Sequence, residues 1–193
     1  MGQHGVKMEV IQLNAKNVSQ EIKAIIKNQK ECIVWGIPDK NYVFSGRNTN
    51  YNKSYCEENG IEILEFPNEG GVIVISNGDF DIGHFSFDLN NSFNLDLAEK
   101  VEDYLLNKKI NAKFVGNDLI IDNKYKCASF SSRKFNNILY SAFHFSLSCN
   151  LEFIKNICTK PMVKIPNGLT SFGISLEEIK TLFEEFIKEK NYV

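Results

Sequence analysis

Lys126 sits in KYKCASF, a short β-like run whose other members are mostly apolar or small. A cation in such a setting can stabilise negative charge developing on a substrate oxygen. The plainer reading is an exposed lysine on a sheet face, because Lys124 would point the same way. Cys127 adjoins Lys126, and a nearby cation activates a thiol, but strand neighbours face opposite sides. Cys158 and Met162 share one segment near the C-terminus. A thiolate there would be a nucleophile; a thioether would not. Asn117-Asp118 follows Gly116, and GND is ordinary turn chemistry. Gly70-Gly71 stands at the entrance of an apolar run beside Glu69. Glycines without Cβ let a backbone pass close to a ligand; the alternative is a glycine bulge. His84 and His144 are single histidines on apolar strands, a pattern commoner in cores and edges than in bases. Thr170 and Ser171 read as residues that order the loop before the last helix.

The elements that must position these residues are partly visible. Residues 1–8 read as a disordered tail. Ser19 to Gln29 reads as a short helix with Ser19 as N-cap and Ile22, Ile25 and Ile26 on one face. CIVWG and YVFSG read as β runs around an IPDKN turn. YNKSYCEENG reads as a helix ending at Gly60. IEILEF, VIVI and HFSFDL read as strands, VIVI as a buried one. LDLAEKVEDYLLNKK is an amphipathic helix with Leu97, Ala98, Val101, Tyr104 and Leu105 on one face. The stretch from Ala112 to Leu151 reads as a meander of strands with a turn at Asp122–Lys124. Ser175 and Glu178 form a capping box ahead of Ile179, Leu182, Phe183, Phe186 and Ile187. The class is α+β, with a mixed or antiparallel sheet flanked by helices.

The chain has 193 residues, enough for one domain with a real core, and the whole of 1–193 reads as that domain. A hydrophobic content of 43% argues for a packed protein. Net charge is −2 with no basic stripe, so nucleic acid is not an expected partner. No apolar stretch reaches membrane-spanning length and the N-terminus has no apolar signal region. Neither a membrane nor secretion is expected, which leaves the cytoplasm. Five dispersed cysteines without CxxC pairs argue against a disulfide framework and against a zinc site.

Several segments, in order, resemble the lipoate-protein ligase and octanoyltransferase family, whose fold is shared with biotin ligases and class II aminoacyl-tRNA synthetases. GRNTNYNKSYCEENGIEILEF is similar to an early family segment. GGVIVISNGDFDIGHFSFDL, from Gly70 to Leu89, is similar without a gap to the octanoyltransferase segment that opens on two glycines. VGNDLIIDNKYKCAS resembles the family's ND and lysine segment, FHFSLSCNLEFI its HGFALN segment, and PMVKIPNGLTSF its PCG and VTSL segment. The resemblance spans about residues 31–190.

The resemblance implies a biotin/lipoate ligase-like catalytic domain that loads an octanoyl or lipoyl group onto a lysine of an acceptor protein. The acceptor would be a lipoyl domain or a glycine cleavage H protein, and an acyl carrier protein could be the donor. Lys126 takes the place of the acyl-contacting lysine. Gly70, Gly71, Ser76, Gly83, Ala128 and Ser129 fall where the family lines its acyl tunnel. Asn117 and Asp118 fall at an adenylate or metal contact. His144, Cys158 and Thr170 fall in the remaining site segments.

The departures are specific. Glu69 replaces an arginine before the two glycines, which opposes ATP-dependent activation of free lipoate. Ser76 replaces the TxHG histidine, the HG pair falls on Phe143-His144, and Met162 replaces the nucleophilic cysteine. With no cysteine there, the acceptor lysine would attack directly while Lys126 holds the carbonyl. No tightly bound cofactor is expected, and ATP only for a ligase. The rival expectations are an eroded member that binds an acyl group or acceptor without turnover, and a ligase lacking its accessory domain.

Overall fold

A computed structural model describes residues 8–14, 17–46, 51–66 and 72–192. In chain order the elements are β1 (Glu9–Gln12), α1 (Val18–Lys27), β2 (Cys32–Gly36), β3 (Tyr42–Gly46), α2 (Lys53–Glu58), β4 (Glu62–Phe66) and β5 (Val72–Ile75). Then come β6 (Phe80–Ser86), α3 (Phe93–Asn107), β7 (Ala112–Val115), β8 (Asp118–Ile121), β9 (Tyr125–Phe135) and β10 (Ile138–Phe145). The chain ends with α4 (Leu151–Ile157), β11 (Ile165–Pro166), a 3₁₀ turn at Leu169–Phe172 and α5 (Leu176–Glu189).

The main sheet runs β1-β2-β6-β10-β9-β8-β7, with β11 beside β9. It is parallel at β1–β2 and β9–β11 and antiparallel at its other pairings. A second sheet, β4-β3-β5, stands apart. The expected α+β class with a mixed sheet is therefore what the chain forms.

Helices α3 and α5 cover one face of the main sheet. Phe93, Leu97, Val101 and Leu105 pack with Phe183, Phe186, Phe143 and Phe145 in one core. Burying each such side chain contributes roughly 2 kcal/mol. The capping box is present at Ser175 and Glu178, which fixes where α5 begins. On the other face, Val18, Ile22 and Ile25 of α1 pack on Val34, Phe85 and Ile138. The second sheet lies on this side too, and Phe44 of β3 packs on the α1 core. Gly60 has φ 63°, as the turn after α2 requires.

Several sequence expectations need correction. Helix α1 starts at Val18 with Asn17 at its N-cap, so Ser19 lies inside the helix rather than at its cap. CIVWG and YVFSG do not pair with each other; β2 belongs to the main sheet and β3 to the small one. VIVI is a strand, but Val72, Ile73 and Val74 are only half-buried because β5 is an edge. The strand expected from His84 begins at Phe80 and ends at Ser86. Helix α3 begins at Phe93 rather than Leu95. Of the expected tail, residues 1–7 lie outside the described residues, while the Met8 N–H donates to the Tyr192 carbonyl.

Candidate functional site

Two central strands pair small residues on the face turned toward the second sheet. Gly83 of β6 lies opposite Ala142 of β10. A Cβ on Gly83 would come within 2.8 Å of both Tyr140 Cε2 and Val34 Cγ2, so the strand is bare there by necessity. Across the gap stand Tyr42, Phe44, Ile73 and Ile75 of the small sheet, and together they enclose an apolar cavity of about 160 Å³. The main sheet contributes Val34, Tyr140 and Phe143 to the lining as well as Gly83 and Ala142.

At one end of this cavity the register turns polar. His144 of β10 is the antiparallel partner of Asp81 on β6, so both side chains leave the same face. His144 Nδ1 lies 2.8 Å from Asp81 Oδ1. The Tyr42 hydroxyl donates to Asp81 Oδ2 at 3.1 Å and fixes the carboxylate. His144 Nε2 lies 3.2 Å from Ser146 Oγ and 3.6 Å from Asp79 Oδ2. Burial pulls the His144 pKa down, but the charge and hydrogen bond of Asp81, with Asp79, outweigh it and leave it above the ordinary histidine value. Burial lifts the Asp79 carboxyl to about 6, against the pull of His144 and of two backbone N–H groups.

Those N–H groups belong to Ser76, at 2.8 Å, and Leu147, at 2.9 Å. Asp79 thus ties the turn before β6 to the loop after β10. Asp79→Ala leaves two buried donors unpaired. It is expected to destabilise the fold by about 2–4 kcal/mol, read as a lower denaturant midpoint; Asp79→Asn, which keeps one acceptor, is expected to cost less.

Lys126 reaches the same place through a bulge. Ile120 pairs with Lys126 and Leu119 with Ala128, so Cys127 is an extra residue on β9. The bulge moves Lys126 onto the face shared by Ser129 and His144; without it, Lys126 would follow Ala128 into the core. Lys126 Nζ lies 2.7 Å from Asp118 Oδ1, a half-exposed pair that aims the ammonium across a cleft of about 460 Å³. Lys126, Asp118, Ser146, Cys158 and Met162 line that cleft, and His144 and Ser129 line both it and the apolar cavity. The arrangement can hold an apolar chain with its head group between an imidazole and an ammonium.

Of the residues singled out from the sequence, Lys126, Asp118, Ala128, Ser129, His144, Cys158 and Met162 converge on the cleft, and Gly83 lines the cavity. Gly70, Gly71 and Glu69 lie outside the described residues. Ser76 is buried in the turn and lines neither space. Asn117 is exposed, and its carbonyl accepts from the Phe130 N–H. Thr170 Oγ1 donates to the Leu147 carbonyl, a loop-ordering contact. Cys127 is in the core, where burial pushes its thiol up to about 12. Burial also raises the Cys158 thiol, with Lys126 pulling the other way. His84 is a core histidine, stacked on Phe93 at 4.5 Å and lowered to about 4 by burial.

Sequence reasoning missed Asp79, Asp81, Ser146 and Tyr42. A signal existed: DFD and HFS each space two polar residues across one phenylalanine, and strand residues so spaced share a face. Among the described residues no cluster of three His, Cys, Asp or Glu is placed to hold a metal, and no helix is long and apolar enough to cross a membrane.

Neither a family model nor a curated protein matches the chain. Solved structures do. One is a lipoate-bound LipL1 of P. falciparum, at TM-score 0.74 and 18% identity, covering 96% of this chain and 61% of that one. Another is the bi-partite lipoate protein ligase of Thermoplasma acidophilum, studied with its E2 lipoyl domain, at TM-score 0.74 and 15% identity over 95% of this chain and 83% of that one. A third is a lipoate-protein ligase A bound with ATP, at TM-score 0.76 and 14% identity over 95% and 85%. This chain thus spans about three-fifths of the P. falciparum chain and has the fold of lipoate-protein ligases.

Proposed function

We propose that the chain attaches lipoyl-type groups: it takes an octanoyl or lipoyl chain into the apolar cavity and transfers it to a lysine of a lipoyl acceptor domain. The observation that carries this reading is the meeting of two spaces at His144 and Ser129. An apolar cavity sized for a thin chain shares these two residues with the cleft that holds Lys126. A chain seated in the cavity would present its carbonyl to the Lys126 ammonium, and Asp118 holds that ammonium in place. A cation beside the developing oxyanion lowers the barrier to acyl transfer.

The acceptor is a lipoyl domain or glycine cleavage H protein, and the donor is an octanoyl thioester such as that of an acyl carrier protein. The lipoyl domain studied with one structural neighbour supports the choice of acceptor, and the lipoate bound in another supports a pocket for this class of acyl chain. A second reading, ATP-dependent ligation of free lipoate, is favoured by the ATP-bound neighbour and by the room in the cleft beside Lys126.

The test supplies the two donors separately. An acceptor domain is incubated with the protein and either octanoyl thioester without nucleotide, or free lipoate with ATP and magnesium. Modification from the thioester alone is the expected result. Modification only with lipoate and ATP would replace it with the ligase reading. Binding of octanoate without modification from either donor would leave a binding protein.

A further inference from the structure

We propose that Ser146, His144 and Asp81 form a nucleophile, base and orienting group that carries the acyl chain as an ester on Ser146 Oγ. This inference rests on the acyl-transfer reading and replaces direct attack by the acceptor lysine. The two contacts are those such a triad needs: Ser146 Oγ to His144 Nε2 at 3.2 Å, and His144 Nδ1 to Asp81 Oδ1 at 2.8 Å. A proton on Nδ1, held by the Asp81 carboxylate, leaves the Nε2 lone pair for the serine hydroxyl. The Tyr42 hydroxyl locks the far oxygen of that carboxylate. Three separate elements, β3, β6 and the end of β10, build the array.

Its position fits the chemistry. Ser146 lines the Lys126 cleft, and His144 lines both the cleft and the apolar cavity. Met162, on the cleft wall, has a thioether that cannot form a thiolate. The Cys158 thiol is held up by burial. The hydroxyl of Ser146, with a base already on it, is the nucleophile this wall offers. The Leu147 N–H, next after the serine, is occupied by Asp79. Lys164, also on the cleft, donates to the Asn123 carbonyl. Lys126, whose ammonium keeps further protons beyond its contact with Asp118 and whose charge acts on His144, is the cation placed to meet the oxyanion.

The reaction balances in two halves. His144 Nε2 takes the Ser146 proton as Oγ bonds to the thioester carbonyl carbon. The C–S bond breaks, and the departing thiolate takes the proton from His144. The neutral amine of the acceptor lysine then attacks the ester. Its nitrogen bonds to the carbonyl carbon, the C–Oγ bond breaks, and the amine proton passes through His144 back to Oγ. Asp81 at Nδ1 and Asp79 near Nε2 stabilise the imidazolium between these steps.

The test is acylation of the full chain by octanoyl-pantetheine without an acceptor, read by intact mass and peptide mapping, followed by addition of an acceptor domain. One octanoyl group is expected on the peptide carrying Ser146, resistant to neutral hydroxylamine as an oxyester is. Ser146→Ala is expected to lose the adduct, and His144→Gln to slow its formation on the order of a thousand-fold. In Ser146→Cys the adduct returns as a hydroxylamine-labile thioester, which a merely structural serine would not produce. Acylation of the wild type should rise with pH through an ionisation above the ordinary histidine range. The groups facing His144 are Asp79 and Asp81 on the β6 side, Tyr42 through Asp81, and Lys126 from β9. Transfer to the acceptor at the wild-type rate in Ser146→Ala overturns the triad and leaves the transfer reading standing. An ester on Ser146 that never reaches an acceptor supports the triad and overturns the transfer reading. Neither adduct nor transfer overturns both.

Discussion

Lys126→Ala is expected to lower acyl transfer onto an acceptor lysine by about a hundred- to a thousand-fold, the scale seen when one oxyanion-stabilising group is removed. Octanoate binding should weaken far less than the rate, because the apolar cavity holds the chain and Lys126 meets only its head group. Stability should change little. The Lys126–Asp118 pair is roughly two-fifths exposed on each side, and water screens such pairs to small net values. Single-turnover transfer, octanoate calorimetry and a denaturation curve on the same variant separate these effects. A loss in rate much larger than the loss in binding, with the midpoint intact, places Lys126 at the reacting carbonyl. Lys126→Arg should recover only part of the rate, since a planar fork does not replace a point charge.

Ala142→Phe is expected to be the strongest block on chain binding. Ala142 and Gly83 face each other across β10 and β6, and both line the cavity. A phenyl ring at 142 has the void to occupy and would displace roughly four methylenes of a bound chain. At about 0.8 kcal/mol each, the loss is about 3 kcal/mol, or roughly a hundred-fold in octanoate affinity. Filling an existing void leaves the fold standing, so the midpoint should hold or rise. Short acyl thioesters that need only the mouth of the cavity should be affected least, giving a shift in chain-length preference. Gly83 is a poorer test, because its Cβ would strike Val34 and Tyr140 directly.

The parts of the fold that rest on local chemistry were legible. The capping box at Ser175, the glycine after α2, the apolar face of α3 and the turn at Asp122–Lys124 stand where their residues imply. The ordered resemblance to lipoate-protein ligases led to the fold that the solved structures share. What could not be read was non-local. The β9 bulge that turns Lys126 toward His144 depends on pairing with β8, which no local pattern records. His144 read as a core or edge histidine because its partner lies 63 residues away in sequence. Asp79 and Asp81 were passed over for a different reason. They flank Phe80 directly after the Asn77-Gly78 turn, so they were read with the turn and the strand as starting after them.

The central claim is that an acyl chain held between the sheets ends on an acceptor lysine, and the intact mass of the acceptor tests it most directly. A lipoyl domain and its counterpart with the acceptor lysine changed to arginine are each incubated with the protein and an octanoyl thioester. The account predicts one added octanoyl group on the native domain, none on the arginine form, and none when Lys126→Ala replaces the wild type over the same interval. An unmodified native domain, from folded protein that binds octanoate, would contradict it.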